Sequence, residues 1–105
     1  MKMIRAVVRP EREWTVALAL AKNGFRAMTK WEVVGRGNQQ GIQVGSQMYD
    51  ELAKSMVLVV VNDHQVDSAV ATIREAASTG FPGDGKVFVT PVEAAYTVRT
   101  GKAEL

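Results

Sequence analysis

The sequence of 105 residues contains no cysteine and a single histidine, His64. Without cysteine the chain has no disulfide, no thiolate metal site and no thiol nucleophile. One histidine is a poor basis for a metal site, and neither a Ser-His-Asp arrangement nor a pair of carboxylates in an evident pocket can be assembled from the sequence. We therefore expect a protein that is not an enzyme.

Long apolar runs and a strong charge of one sign are also missing. The longest strongly apolar run, Met56–Val61, has six residues, whereas a membrane-spanning helix takes roughly twenty. Thirteen basic and eleven acidic side chains leave a net charge of +2, which is too small for the many phosphate contacts of sequence-independent nucleic-acid binding. Charges within Met1–Arg5 interrupt what would be the apolar part of a signal peptide. We expect a cytoplasmic protein without membrane insertion and without a nucleic-acid partner.

The composition, 47% hydrophobic and 23% charged, is typical of one globular domain, spanning residues 1–105. Apolar periodicity and turn residues predict alternating strands and helices. The predicted elements are strands over 4–8, 27–36, 55–61 and 87–89, the last limited by Pro91; a helix from Pro10 to Gly24; a helix capped by Asn62 or Asp63 and ending near Ala77; a long loop over 37–53; and a last short strand over 95–99.

This order of elements predicts a ferredoxin-like fold of the α+β class. That fold is a split βαβ arrangement (βαββαβ), in which an antiparallel sheet carries two helices on one face. Strand 55–61 is apolar on both faces, so we expect it to be central, to pair with 27–36, and to leave an open sheet face that packs against other copies. The apolar helix faces are predicted to consist of Trp14, Ala17, Leu18 and Ala21 in the first helix, and Val66, Ala69, Val70, Ile73, Ala76 and Ala77 in the second.

Two glycine-rich segments attract attention as binding loops. Residues 80–86 fit the spacing G-x-x-x-x-G-K, but Val87 stands where a Walker loop has Ser or Thr, and the segment follows a helix instead of a strand. Its glycines and Lys86 still suit an anion-binding nest, and a plain turn with a solvated lysine explains them equally well. Residues 35–41 fail the dinucleotide fingerprint, because the third glycine is one residue late and no helix follows.

Taken together, separated motifs give the chain a resemblance to the PII family of nitrogen-signalling proteins. The motifs are Gly35-x-Gly37-x-Gln39-x-Gly41, Lys54, Thr79-Gly80, Gly83-Asp84-Gly85-Lys86-Val87-Phe88-Val89 and Arg99-Thr100-Gly101. The resemblance implies a homotrimer that binds ATP or ADP between protomers and senses 2-oxoglutarate beside the nucleotide. It also implies a T-loop (about 37–53) that touches target proteins, a B-loop (about 80–86) and a C-terminal loop (about 97–105).

The same resemblance implies the site residues. Gln39 is expected to hold Mg²⁺ together with ATP and 2-oxoglutarate, and Lys54 to neutralise a carboxylate of 2-oxoglutarate. The residues implied for the nucleotide are Val7, Met28, Thr29 (from a neighbouring protomer), Gly35, Gly37, Gln39, Gly83, Asp84, Gly85, Lys86 and Arg99. Those implied for 2-oxoglutarate are Gln39, Gly41 and Lys54.

Several positions depart from the usual PII pattern. Thr97, Met56, Leu58 and Asn38 replace charged residues, and the loss of cations implies weaker ATP binding or a greater dependence on Mg²⁺ and 2-oxoglutarate. The T-loop is short, and Tyr49 lies too near Lys54 to match the tyrosine that is modified in other members. The loop instead resembles the nitrogenase-associated branch, which implies nitrogenase as the target and a sister PII subunit. An ammonium transporter or glutamine synthetase as target, and a diverged trimeric small-ligand-binding module, are the alternatives.

Overall fold

The computed structural model describes residues 1–37, 42–44, 47–49 and 51–105. Six strands and two helices lie within these residues. They are β1 (Lys2–Val8), α1 (Glu13–Lys22), β2 (Thr29–Gly35), β3 (Ile42–Val44), β4 (Gln47–Tyr49), β5 (Leu52–Val61), α2 (Val66–Ala77) and β6 (Gly85–Pro91). A short 3-10 turn precedes each helix, at Pro10–Arg12 and Asp63–Gln65.

Four strands form one antiparallel sheet in the order β2-β5-β1-β6. The predicted ferredoxin-like fold is confirmed, and β5 is central and pairs with β2, as its apolar character on both faces indicated. The register places Val8 beside Ser55 on one side and beside Gly85 on the other. The ends of β5 and β6 are therefore held next to the end of β1.

The hydrophobic core lies between the helices and one face of the sheet. Alternate residues of β1 and β5 point into it, since successive side chains of a strand point to opposite faces. Its members, all less than a tenth exposed, are Ile4, Ala6, Val8, Val16, Leu20, Phe25, Val57, Val59, Val61, Ala69, Ile73 and Ala77. The face predicted for α2 is confirmed, because Ala69, Ile73 and Ala77 are buried and the other three predicted residues pack against the core.

The face predicted for α1 is wrong. Val16 and Leu20 are fully buried, whereas Trp14 is 67% exposed and Leu18 is 44% exposed. Two adjacent stripes of this helix both carry apolar residues four apart, so periodicity alone does not choose between them. In the observed rotation Val16 and Leu20 enter the core, and the carboxylate of Glu13 accepts hydrogen bonds from Lys30 and from the buried Ser55, both at 2.5 Å. These bonds join the first turn of α1 to β2 and β5 in that rotation.

Three predicted boundaries also need correction. Residues 37–53 are not one unstructured loop, because β3 pairs with β4 and the strand β5 already begins at Leu52. Strand β6 extends over Gly85–Pro91. It is an edge strand of the described sheet, and proline is tolerated there because a backbone N–H that points away from the sheet has no hydrogen bond to lose. Residues 95–99 form no strand; a single bridge joins Tyr96 to Ala103 across a turn.

The opposite face of the sheet is apolar and only partly covered. Met56, Leu58 and Val60 of β5 are half-buried there, while Trp31 is 42% exposed and Phe88 is 51% exposed. None of the described helices is both long enough and apolar enough to cross a membrane.

Replacing Leu20 with Ala should destabilise the fold strongly. The side chain is fully buried beneath the sheet, and a cavity of this type costs about 3–5 kcal/mol. Leu18→Ala, two residues away on the exposed stripe of the same helix, should cost less than about 1 kcal/mol. Urea unfolding of both variants gives the two free energies of unfolding, and equal losses would contradict the observed rotation of α1.

Candidate functional site

A cleft of about 640 Å³ opens on the partly covered face of the sheet, where the ends of β2, β5 and β6 meet. This volume lies within the range of about 300–1,000 Å³ that is usual for small-molecule sites. The cleft brings together seven of the residues predicted for the site. They are Val7, Gly35, Gly37, Lys54, Gly83, Gly85 and Lys86, and the cleft is further lined by Val33, Val34, Arg36, Met56, Pro82 and Phe88.

The B-loop is closed on itself by the carboxylate of Asp84. One oxygen accepts hydrogen bonds from the backbone amides of Thr79 and Gly80, at 2.9 and 3.0 Å. The other accepts the Thr79 hydroxyl at 2.5 Å and the Nε of Arg9 at 3.0 Å. The Thr79 hydroxyl, followed by the Thr79 amide, Arg9 and the Gly80 amide, lowers the pKa of Asp84 well below its usual range. The carboxylate therefore stays ionised and fully engaged within the loop.

Glycine is required at the point where the B-loop joins β6. Gly85 has a φ of +114°, and a Cβ there would lie 1.7 Å from the backbone oxygen of Val7. Gly83 has a φ of +98°. The two glycines let the chain turn sharply against β1 in a conformation that other residues rarely adopt. The turn of such a loop can direct successive amides toward one anion, as in a phosphate-binding nest.

Lys54 is the buried cation of the cleft. It is only 8% exposed, and its Nζ donates a hydrogen bond of 2.7 Å to the backbone oxygen of Gly83. Among the described side chains, no carboxylate lies within ion-pair distance of it. A buried ammonium without a counter-charge is costly, and an anion in the cleft would relieve that cost. Lys86, which is exposed at the rim, adds a second positive charge.

Other predicted site residues are not brought to this cleft within one chain. Met28 packs against the core on the helix side of the sheet, and Thr29 is exposed at the start of β2. Arg99 is exposed in the turn closed by bonds from Gly101 N to Thr97 O and from Thr97 N to Lys102 O. Their nucleotide roles stay predictions that need a second protomer. Gln39, Gly41 and Asn38 lie outside the described residues. The role of Gln39 as a Mg²⁺ ligand therefore stays a prediction.

Arg9 is a contributor to the site that the sequence reasoning missed. Its guanidinium reaches both Asp84 and the backbone oxygen of Pro82, at 3.0 and 2.8 Å. Its role follows from the register of β1 and β6, which the sequence alone does not give. Val8 pairs with Gly85, so Arg9, the residue after β1, lies next to Asp84, the residue before β6, and a base meets an acid.

The chain is similar to known proteins over nearly its whole length. The profile of the family described as "Nitrogen regulatory protein P-II" matches residues 1–102. The chain belongs to the PII family. The match covers the sheet, both helices and the whole glycine-lined cleft.

Relatives and a solved structure agree with this assignment. "Nitrogen fixation nifHD1 region GlnB-like protein 1" of Methanosarcina barkeri is 54% identical over 105 residues, with both chains covered completely. "Nitrogen regulatory protein P-II 2" of Methanothermobacter thermautotrophicus is 42% identical, covering 98% of this chain and 93% of the relative. Arabidopsis thaliana PII bound to citrate superposes with a TM-score of 0.82 at 38% identity, covering 98% of this chain and 84% of that one.

The family and its branch confirm two predictions. Names that refer to the nifHD region recur among the relatives, including one of Methanothermobacter marburgensis that is 53% identical over 100 residues, 95% of each chain. The resemblance to the PII family and to its nitrogenase-associated branch is thus confirmed. PII proteins are signalling regulators, so the expectation that this chain is not an enzyme is confirmed by its family.

Asp84→Asn should make stability less sensitive to acid. The pKa of Asp84 in the folded chain lies below its ordinary value of 3.8, so its contribution is complete above that value and is lost as the pH falls through the folded pKa. The difference in free energy of unfolding between wild type and Asp84→Asn should be constant above about pH 5 and shrink below about pH 4. Urea unfolding from pH 3 to 7 measures it. A difference that grows toward acid would show that the carboxylate does not hold the loop.

Proposed function

We propose that this PII protein binds ATP or ADP and 2-oxoglutarate between the protomers of a homotrimer and that it regulates nitrogenase through its T-loop. The observation that carries the proposal is the buried Lys54 beside the glycine turn of the B-loop, with no described carboxylate to neutralise it. The family generally binds these ligands, and the cleft of about 640 Å³ lined by Lys54 and Lys86 supports their assignment to this place.

The nucleotide phosphates are assigned to the B-loop. Backbone amides at Gly83–Lys86 and the Lys86 ammonium together offer dipoles and a charge to a phosphate, and hydrogen bonds to charged groups are stronger than neutral ones. The Asp84 side chain already accepts four hydrogen bonds inside the loop. Its contribution to the nucleotide is therefore to shape the loop, and only its backbone is left to face the ligand.

The 2-oxoglutarate carboxylate is assigned to Lys54. Lys54 lines the same cleft as Gly83 and Gly85, so the two ligands would be neighbours. Because both are anions, their joint binding would depend on the positive charges around them. Mg²⁺ between them would supply a further positive charge, held through Gln39. Arabidopsis thaliana PII is described with citrate bound, which supports the idea that this fold accommodates a small polycarboxylate.

A trimer would account for the open face of the sheet and for the predicted site residues that lie away from the cleft. The open sheet face carries half-buried apolar residues, including Met56 and Leu58, and exposed Trp31 and Phe88. Met28, Thr29 and Arg99 do not reach the cleft of their own chain. Association through the open face would cover the apolar side chains and complete the nucleotide site with residues from a second protomer.

The nitrogenase target is supported by the names of the relatives, which refer to the nifHD region. In the proposed mechanism, ligand binding at Lys54 and the B-loop shifts the population of T-loop conformations and so changes affinity for the target. The T-loop contains the β3–β4 pair and continues into β5, which carries Lys54. A sister PII subunit is proposed as a further component of the complex.

Calorimetric titration tests the ligand assignments. Lys86→Ala should weaken ADP binding, and Lys54→Met should weaken 2-oxoglutarate binding in the presence of ATP and Mg²⁺. Each loses a charge-assisted hydrogen bond of about 1.5–3 kcal/mol, which is roughly a 10- to 100-fold rise in Kd. Lys22→Ala, which removes an exposed lysine of α1, is the control and should bind normally. Binding of 2-oxoglutarate that is unaffected by omission of ATP and Mg²⁺ would contradict a shared site.

Affinity capture tests the target. The full chain should retain purified dinitrogenase without effectors and release it when ATP, Mg²⁺ and 2-oxoglutarate are added. A variant that lacks residues 42–51 should retain none while still binding ADP, since the B-loop is left intact. Retention of glutamine synthetase or of an ammonium transporter in place of dinitrogenase would overturn the assigned target.

A further inference from the structure

Arg9 joins the end of β1 to both sides of the B-loop turn. Its Nε donates to the Asp84 carboxylate at 3.0 Å, and its Nη2 donates to the Pro82 backbone oxygen at 2.8 Å. Its side chain is 23% exposed and that of Asp84 is 25% exposed. The two acceptors flank Gly83, so this single guanidinium spans the turn at Gly83, which lines the cleft.

The backbone presents Arg9 to the loop in a fixed direction. The residue before a proline is restricted to extended conformations, and Arg9 precedes Pro10 with φ −62° and ψ 139°. Its own oxygen accepts a bond from the Arg12 amide at 3.0 Å, which closes the following turn. Arg9 is thus anchored by β1 on one side and by the 3-10 turn on the other.

Arginine suits this position better than lysine. A guanidinium is a rigid planar fork with several donors, whereas an ammonium is a compact charge on a flexible stem. Bonds from two different nitrogens to Asp84 and Pro82 use that fork. A lysine could neutralise the carboxylate but would not be expected to hold both acceptors at once.

Arg9 also changes the charge that a ligand meets. The Asp84 carboxylate is in the B-loop next to Gly83 and Gly85, and an unpaired negative charge there would oppose a phosphate. Its other three donors, from Thr79 and Gly80, are neutral. Arg9 is therefore the only positive side chain of the described residues within ion-pair distance of Asp84.

We propose that Arg9 is a positioning residue for nucleotide binding. It does not line the cleft and acts through the loop: it fixes the turn on both sides of Gly83 and cancels the charge of Asp84. The inference rests on the proposed binding of nucleotide phosphates at the B-loop. It makes the affinity of that loop for phosphate depend partly on a residue that does not line the cleft.

Amide hydrogen exchange and ADP titration on the full chain test this assignment. Without nucleotide, Arg9→Ala should accelerate exchange in residues 79–86 while leaving the β1–β5 ladder unchanged. Its Kd for ADP should rise at least about tenfold, as expected for one lost charge-assisted hydrogen bond. Arg9→Lys keeps the charge but not the fork, so it should fall between wild type and Arg9→Ala in both measurements. Arg26→Ala, which removes an exposed arginine, is the control and should match wild type.

A double variant separates positioning from a general loss of stability. Because Arg9 acts partly through Asp84, Arg9→Ala should raise the Kd for ADP by a smaller factor in an Asp84→Asn background than in wild type. Equal factors in both backgrounds, or unchanged loop exchange and ADP affinity in Arg9→Ala, would overturn the inference. A wild-type chain that binds no nucleotide would instead overturn the proposed function, and loop exchange would still show whether Arg9 fixes the turn.

Discussion

The pairing of β1 with both of its neighbours is the constraint on which the site depends. Val8 lies beside Ser55 of β5 and beside Gly85 of β6, so three strand ends meet at one place on the sheet. The backbone of Val7 passes so close to Gly85 that no side chain fits there. Because the strands are held by continuous ladders of hydrogen bonds, the glycine turn and the lysine of β5 cannot move apart without breaking the sheet.

Around this junction two acidic side chains have charged partners within the chain, whereas the basic side chain of Lys54 has none among the described residues. The carboxylates of Asp84 and Glu13 both accept hydrogen bonds from partners within the chain. These bonds lower the pKa of both, in Asp84 chiefly the bond from the Thr79 hydroxyl and in Glu13 chiefly the bond from Lys30. Lys54 has only a neutral carbonyl as its partner among the described residues. These two negative charges are thus engaged within the fold, while the positive charge of Lys54 is left for a ligand. This asymmetry favours an anion in a cleft that is otherwise largely apolar.

Sequence patterns predicted what depends on local order and missed what depends on long-range pairing. The helix α2 was predictable because its apolar residues follow one stripe. The helix α1 carries apolar side chains on most sides, so its rotation depends on contacts with distant residues, such as those of Glu13 with Lys30 and Ser55. Strands of three residues, such as β3, are too short for an alternating pattern to be recognised. In the site, the glycines and Lys54 were identified from the motif. Arg9 was missed because its role exists only once β1 and β6 are in register.

The bond from Lys54 to Gly83 couples the cation of the cleft directly to the glycine turn. An ammonium has three donors, and the Gly83 oxygen uses one of them, so a carboxylate can take another donor while the carbonyl keeps its own. The lysine would then bridge its ligand and the turn. Occupancy of the cation would in this way be transmitted to the backbone that shapes the B-loop.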